Sequence, residues 1–328
     1  MKAIVFDEPG EPEQVLRLRD IDRPQPASDE VLVRMAARPI QPSDLMFIAG
    51  RYRIRPVLPQ VAGLEGTGTI VATGSGVTLA RGTRVSFRHP GSWAEYACVP
   101  ASALYVVPDG IAEEDAAQFS LNPVTAWGLL DQARATAGDW IAVNAATSQV
   151  ARLVIGLARQ RKMDVVAIVR TALVPTLPAT QVVIDSAPDS VDLSEHIRAV
   201  TGGVPVAALL DAVGGPALTR VIPALKPGAR IVSYGLLGSE PAQMSNADMI
   251  YRNLHWQGFG IDHWLTHAGI ERRAEMVHAL WRAIADGSIA LPVKARYPTE
   301  GAVEAIGQLR SDSGMGKVLL CAPQAQHP

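Results

Sequence analysis

Apolar residues recur along the chain with two periods, and the change between them falls near Ile111. Before it, short apolar runs at Met1–Phe6, Glu30–Ala36, Gly66–Ala72 and Arg84–Phe87 alternate with Pro- and Gly-rich turns such as Asp7–Pro12 and Gly74–Gly76. That pattern predicts short strands in a compact, barrel-like domain. After it, helical spacing predicts helices over Ala112–Phe119 and Pro123–Ala135. Ile141–Val143 and Val165–Val169 are apolar, largely β-branched runs of the kind found in strands buried on both faces. Between them Val150, Leu153, Val154 and Leu157 mark one helix face, leaving Arg152, Arg159 and Arg161 for solvent. Strands at Val182–Ile184, Ala207–Ala212 and Arg230–Tyr234 alternate with further helices, which predicts a mostly parallel sheet covered on both faces. A helix at Arg272–Asp286, a strand at Val293–Tyr297, a helix near Gly301–Arg310 and a strand at Gly316–Cys321 complete the pattern.

The turn inside the strand–helix–strand unit is the first candidate for chemistry. It reads Ala146-x-Ser148-x-x-Ala151, a dinucleotide-binding fingerprint with each glycine replaced by another small residue. Small side chains still let backbone N–H groups at the helix start approach a pyrophosphate. An ordinary turn whose small residues permit close helix–strand packing would look the same. Arg170 sharpens the reading. Where NAD enzymes carry an acid for the ribose 2′-hydroxyl, this chain has Arg170 followed by Thr171 and Ala172, a charge suited to a 2′-phosphate. NADPH is therefore expected over NADH.

Composition narrows the class further. A chain of 328 residues, 48% hydrophobic, with a net charge of −2, is large enough for two domains. Near-neutral charge argues against nucleic acid or an anionic membrane as the main partner. Cys98 and Cys321 have no metal-site spacing, the start MKAIVF lacks a signal-peptide core, and no apolar run reaches a membrane span. The cytosol is the expected compartment.

Several motifs together resemble the medium-chain dehydrogenase/reductase superfamily. They are Gln41-Pro-Ser-Asp44 with Gly50-Arg-Tyr52, Gly63-Leu-Glu-Gly66, Asn122-Pro-Val-Thr-Ala126, Asn144-Ala-Ala-Thr-Ser148, Asp211-Ala-Val-Gly-Gly215, Tyr234-Gly-Leu-Leu-Gly238 and Gly316-Lys-Val-Leu-Leu320. Within it, the chain is most similar to zinc-independent trans-2-enoyl thioester reductases, with quinone oxidoreductases as near relatives. The resemblance implies an α/β fold: a doubly wound parallel Rossmann sheet (116–261) and a β-rich GroES-like catalytic domain (1–115 and 262–328). It further implies a homodimer joined through sheet edges and a small-molecule or carrier-bound acyl substrate.

Residue by residue, the resemblance makes Tyr52 the proton donor. Enoyl reduction takes a hydride at Cβ and a proton at Cα, and a tyrosine, ordinarily protonated up to about pH 10, can supply the second. Read without the resemblance, Tyr52 is an aromatic of a Pro/Arg-rich loop, suited to packing or exposure. Asn122 and Thr125 would lie near the nicotinamide, and Ser148, Gln149, Val150 and Ala151 would meet the pyrophosphate. Arg170 would take the 2′-phosphate; Tyr234, Gly235, Leu236, Leu237, Phe259, Gly260 and Ile261 would line the nicotinamide and ribose; Lys317 would close the site. Asn122 also suits a helix N-cap, and Lys317 a solvated strand end. Trp264 would line the acyl channel or belong to the core. Arg51, Arg53 and Arg55 alternate with Tyr52 and Ile54, so an extended segment would turn a basic edge toward an anionic carrier, or simply toward water. Gln41 and Leu64 stand where zinc enzymes place Cys and His ligands, and His263 and His267 lack a third partner, so no metal is expected. Glycines of the phosphate turn are replaced at Gln149 and Ala151, which predicts a looser cofactor grip. An NADPH:quinone oxidoreductase and a non-catalytic NADPH-binding protein remain the alternatives.

Overall fold

A computed structural model describes residues 1–170, 177, 181–185, 193–311 and 315–322; Thr171 and Ala172 lie outside them. In chain order the strands are β1 (Lys2–Phe6), β2 (Arg17–Asp20), β3 (Glu30–Pro39), β4 (Gln60–Val61), β5 (Glu65–Thr73), β6 (Arg84–Arg88), β7 (Tyr96–Pro100) and β8 (Leu104–Val106). There follow β9 (Trp140–Val143), β10 (Asp164–Val169), β11 (Gln181–Ile184), β12 (Val206–Asp211), β13 (Leu225–Ser233) and β14 (His255–Gly258). The chain returns with β15 (Val293–Pro298) and β16 (Lys317–Cys321).

The chain forms two compact units, Met1–Leu121 with Ala290–Pro328, and Asn122–Ile289. Unit one carries a sheet in the order β15-β16-β3-β5-β6-β8, with β7 also on β3, and a small sheet β2-β1-β4. Apart from the parallel β15–β16 pair, its ladders are antiparallel. One of its cores gathers Phe6, Ile40, Phe47, Leu64, Trp93, Val318 and Leu320, all nearly inaccessible to water.

Unit two holds a parallel sheet in the order β11-β10-β9-β12-β13-β14. Strand order reverses between β9 and β12, and ligands of such sheets bind outside the carboxyl ends of the strands at that point. The apolar runs at Ile141–Val143 and Val206–Asp211 are buried along their whole length, as expected of strands covered on both faces. Helix Gln149–Gln160 buries Leu153, Val154 and Leu157, the stripe its spacing predicts.

The unit boundaries differ from the 115/116 and 261/262 expected from the pattern. Helix Gly269–Ala285 is amphipathic, and that property says only that it packs, not on what. It packs on helix Asn122–Ala133 through an Arg272–Asp131 ion pair, and Gly156 approaches Ile289, so 262–289 belongs to unit two. At the other end, Gln118 Nε2 donates to the Leu291 carbonyl (2.9 Å), and Ser120 and Leu121 hold Glu65, which keeps 116–121 in unit one.

Candidate active site

The site is best built one unit at a time, beginning with the turn after β9. Asn144 Nδ2 donates to Asp211 Oδ1 (2.6 Å), and Asn144 Oδ1 accepts the Ala212 N–H (2.7 Å). The same Asp211 oxygen accepts the N–H groups of Val213 (3.2 Å) and Gly214 (2.9 Å). Its other oxygen accepts the Ser233 hydroxyl (3.0 Å), which in turn accepts the Trp256 indole N–H (2.9 Å). One buried carboxylate thus ties together the carboxyl ends of β9, β12, β13 and β14. Ala145, next to Asn144, holds φ at +46°, a left-handed conformation that a non-glycine residue keeps only when its surroundings enforce it. The chain then reaches Ser148, whose side chain caps the helix by accepting the Ala151 N–H (3.3 Å). The remaining N–H groups of the first helical turn have no intrahelical acceptor, so an anion is favoured there.

The other unit-two candidates surround this end of the sheet unequally. The Tyr234 hydroxyl is buried beside Ser148, and that burial raises its pKa above the ordinary tyrosine value. A Cβ at Gly235 would stand 2.6 Å from the Ala212 carbonyl oxygen, so only glycine lets this loop lie against β12. Leu236 and Leu237 are largely exposed, and Arg170, just past β10, is exposed as well. Asn122 is buried as the first residue of its helix, not as a cap before it, and Thr125 lies one turn on. Phe259 packs its ring on Gly128, with Gly260 exposed and Ile261 buried beyond it. Val150 opens the helix beside Gln149.

In unit one, a helix ending places Tyr52. Helix Pro42–Ile48 stops where Gly50 takes φ +68°, and the Gly50 and Arg51 N–H groups turn back to the Phe47 (3.0 Å) and Met46 (2.8 Å) carbonyls. This is a Schellman ending, and it carries the Tyr52 N–H onto Met46 O as well (3.0 Å). Tyr52 and Ile54 pack partly buried against the apolar core, while Arg51, Arg53 and Arg55 are exposed. The alternation in burial matches the sequence pattern, but the segment is a series of bends and not a strand, and each arginine has a contact of its own. Arg51 stands 3.8 Å from Glu11, Arg53 lies over the Tyr52 ring (5.4 Å), and Arg55 donates to the Gly50 carbonyl (2.7 Å).

Beneath this loop runs a buried charged network. The Lys317 ammonium donates to Gln41 Oε1, and Gln41 Nε2 donates to Glu65 Oε2 (2.8 Å). Glu65 Oε1 accepts the Ser120 hydroxyl (3.0 Å) and the Leu121 N–H (2.8 Å). Asp44 reaches back to the Gln41 N–H (2.7 Å), closing a capping box. Burial pushes Asp44 up to about 7 and lifts Glu65 above the ordinary carboxylate value, and the same desolvation brings Lys317 down to about 8. Lys317 is therefore not the solvated strand-end charge its position allowed.

Trp264 is 4% exposed, with its indole N–H on Asp131 (2.9 Å), because a buried indole needs an acceptor and this helix pair provides one. It packs in unit two, as the core alternative of its sequence reading expects. Arg152 and Arg161 lie on the expected face but are half-buried, each held by a contact. Arg152 Nε donates to the Thr147 carbonyl (3.3 Å), and Arg161 lies 4.1 Å over the Trp127 ring. Exposed His263 and His267 stack on each other, and among the described residues no group of three or more His, Cys, Asp or Glu side chains could hold a metal. Sequence reasoning missed the roles of Asn144, Asp211, Asp44, Gln41 and Glu65. An acid at a strand end between uncharged neighbours, as in Leu64-Glu65-Gly66 and Leu210-Asp211-Ala212, is the available signal.

Comparison with known proteins adds relatives for both units. Residues 27–109 match the family described as Alcohol dehydrogenase GroES-like domain, and residues 177–320 the family described as Zinc-binding dehydrogenase. The mitochondrial enoyl-[acyl-carrier-protein] reductase of Arabidopsis thaliana is 32% identical over 308 residues, covering 91% of this chain and 80% of that protein. The Xenopus tropicalis protein of the same name is also 32% identical, covering 91% and 89%. Among solved structures, a mycobacterial quinone oxidoreductase superposes with a TM-score of 0.89 at 27% identity, covering 98% of this chain and 99% of that one. The Escherichia coli quinone oxidoreductase complexed with NADPH gives 0.84 at 25% identity, covering 98% and 100%.

Proposed function

The chain belongs to the medium-chain dehydrogenase/reductase superfamily, and on that premise we propose that it is an NADPH-dependent reductase of 2-enoyl thioesters. When bound, NADPH supplies the hydride that reaches the substrate's Cβ. The unit-two turn fits such a dinucleotide: its helix start favours an anion, and the buried Gln149 Nε2 has no hydrogen-bond partner among the described residues. Arg170, exposed past β10, is suited to the 2′-phosphate, and Asn122, Thr125, Tyr234, Gly235 and Phe259 are assigned to the nicotinamide half.

The observation that carries the reading is the placement of Tyr52. A Schellman ending fixes its backbone, the core holds one side of its ring, and Arg53 covers part of the ring with positive charge. A positioned phenol donates first a hydrogen bond and then a proton as charge develops toward an enolate. Lys317, held by Gln41 among buried carboxylates, is assigned to the same site as a cofactor contact. The reading needs no metal. The buried donors here are Gln41, Asp44 and Glu65, and an ammonium already stands among them where zinc would require thiolate or imidazole.

NADPH oxidation assayed with crotonyl-CoA, with a quinone and with no acceptor tests the proposal. Turnover with the thioester, abolished in Tyr52→Phe, is the expected result; turnover with the quinone alone would make the protein a quinone oxidoreductase. A homodimer, a cytosolic location consistent with free Cys98 and Cys321, and a carrier-borne acyl substrate belong to the same proposal. Sedimentation and cell fractionation test the first two, and the relatives named mitochondrial supply the opposite outcome for the second. No described helix is long and apolar enough to cross a membrane.

A further inference from the structure

Gln149 stands in the turn where the resemblance expects glycine, and its neighbour Arg152 is half-buried, with one guanidinium nitrogen shielded from water. Both features make sense together. Arg152 is the fourth residue of a 12-residue helix that starts at Gln149. Helical side chains lean toward the N-terminus, and residues three apart share a face, so Arg152 and Gln149 lie side by side over the first turn. The Arg152 guanidinium is anchored there by its Nε–H, donated to the carbonyl of Thr147 (3.3 Å), the residue just before the cap.

What these side chains lack is an acceptor. Arg152 Nη2 and Gln149 Nε2 are buried atoms with no hydrogen-bond partner among the described residues. Buried donors are nearly always satisfied, so two orphans side by side at one turn point to an absent group rich in acceptors. Among the described residues no carboxylate compensates Arg152 either, and burial lowers its pKa. With the partial positive charge of the helix start, the surroundings call for an anion with several oxygens.

We propose that Arg152, with Gln149, binds the pyrophosphate of the dinucleotide through side-chain donors, replacing the close backbone approach that glycines give in this turn. The assignment rests on the reading of unit two as an NADPH-binding unit. It names the pyrophosphate and not the 2′-phosphate because Thr147, Ser148 and Gln149 follow β9, whereas the charge suited to the 2′-phosphate, Arg170, follows β10. The looser grip expected from the lost glycines is thereby offset.

Calorimetric titration of the protein with NADPH, NADH and ADP-ribose, which keeps the pyrophosphate but has neither nicotinamide nor 2′-phosphate, tests this. Arg152→Ala should weaken all three ligands by a similar factor, roughly 10- to 100-fold. Arg152→Lys should recover part of the loss, and Arg152→Gln less. Arg170→Ala should weaken NADPH only. Thermal unfolding of each apo variant separates a turn staple from a ligand contact: a staple lowers the melting temperature and leaves affinity unchanged once folded. If Arg152→Ala does not fold, the Lys and Gln variants carry the same comparison. Unchanged affinities in a folded Arg152 variant would overturn the proposal, and so would a loss confined to NADPH. Failure of the unmutated protein to bind any of the three ligands would instead overturn the NADPH reading itself.

Discussion

Asn144→Ala probes the scaffold on which the unit-two site stands. The variant deletes a charge-assisted bond of 2.6 Å to Asp211, worth about 1.5–3 kcal/mol. It also strands the Ala212 N–H, now bonded at 2.7 Å, in a buried position, at a cost of about 1–3 kcal/mol. Together these predict a loss of about 2.5–6 kcal/mol, large for any single substitution. Asp211→Asn is the isosteric control. Its carbonyl can still accept from Asn144, Val213 and Gly214, and its new N–H group can donate to Ser233, so the loss should stay below about 1.5 kcal/mol. Urea unfolding measures both variants, and NADPH titration at low denaturant reads the turn directly. Should Asn144→Ala lose less than about 1 kcal/mol, or Asp211→Asn prove equally damaging, the network does not organise this end of the sheet.

Three further predictions concern single positions. Gly50→Ala places a side chain at φ +68° with its Cβ 2.9 Å from Pro9 Cβ, so stability should fall by about 1–3 kcal/mol and enoyl reduction should fall with it as Tyr52 shifts; a folded variant with unchanged kcat would detach Tyr52 from its helix ending. Arg170→Ala should erase most of a preference for NADPH over NADH of roughly 10- to 100-fold, read from the two Kd values. Lys317 is held at about 8 against an unfolded value of 10.5, so between those pH values the unfolded chain keeps a proton the folded chain has lost. Its contribution therefore makes stability rise with pH across that window, by about 3 kcal/mol in full, and urea unfolding at pH 8 and pH 10 should show a smaller rise in Lys317→Met. Asp44, pushed up to about 7, acts in the opposite sense, and stability falls as pH rises from 3.8 toward 7.

The parts of this fold legible from the sequence were those in which one residue pattern has one outcome. Ile141–Val143 and Val165–Val169 are too short and too apolar for anything but strands covered on both faces, and both lie inside the parallel sheet. Helix Pro42–Ile48 is not legible in the pattern, because Pro42, Ser43 and Asp44 suit a turn equally well and only the Gln41–Asp44 capping box starts a helix there. Trp264 had two equally good fates, and the choice depended on Asp131, 133 positions away in the chain. The polar networks around Asp211 and Glu65 follow the same rule. Their partners come from separate strands and loops, so no local window shows that a buried acid is satisfied, nor by what.

The most direct test of enoyl thioester reduction is where the two new hydrogens of the product come from. Crotonyl-CoA is reduced once with NADPH deuterated at both C4 positions in ordinary water, and once with unlabelled NADPH in deuterium oxide, and the product is examined by NMR. The account predicts deuterium at Cβ in the first experiment and at Cα in the second, with the saturated product lost in Tyr52→Phe while NADPH binding persists. An unreduced thioester alongside rapid quinone-dependent NADPH oxidation, or label at Cβ from solvent, would contradict it.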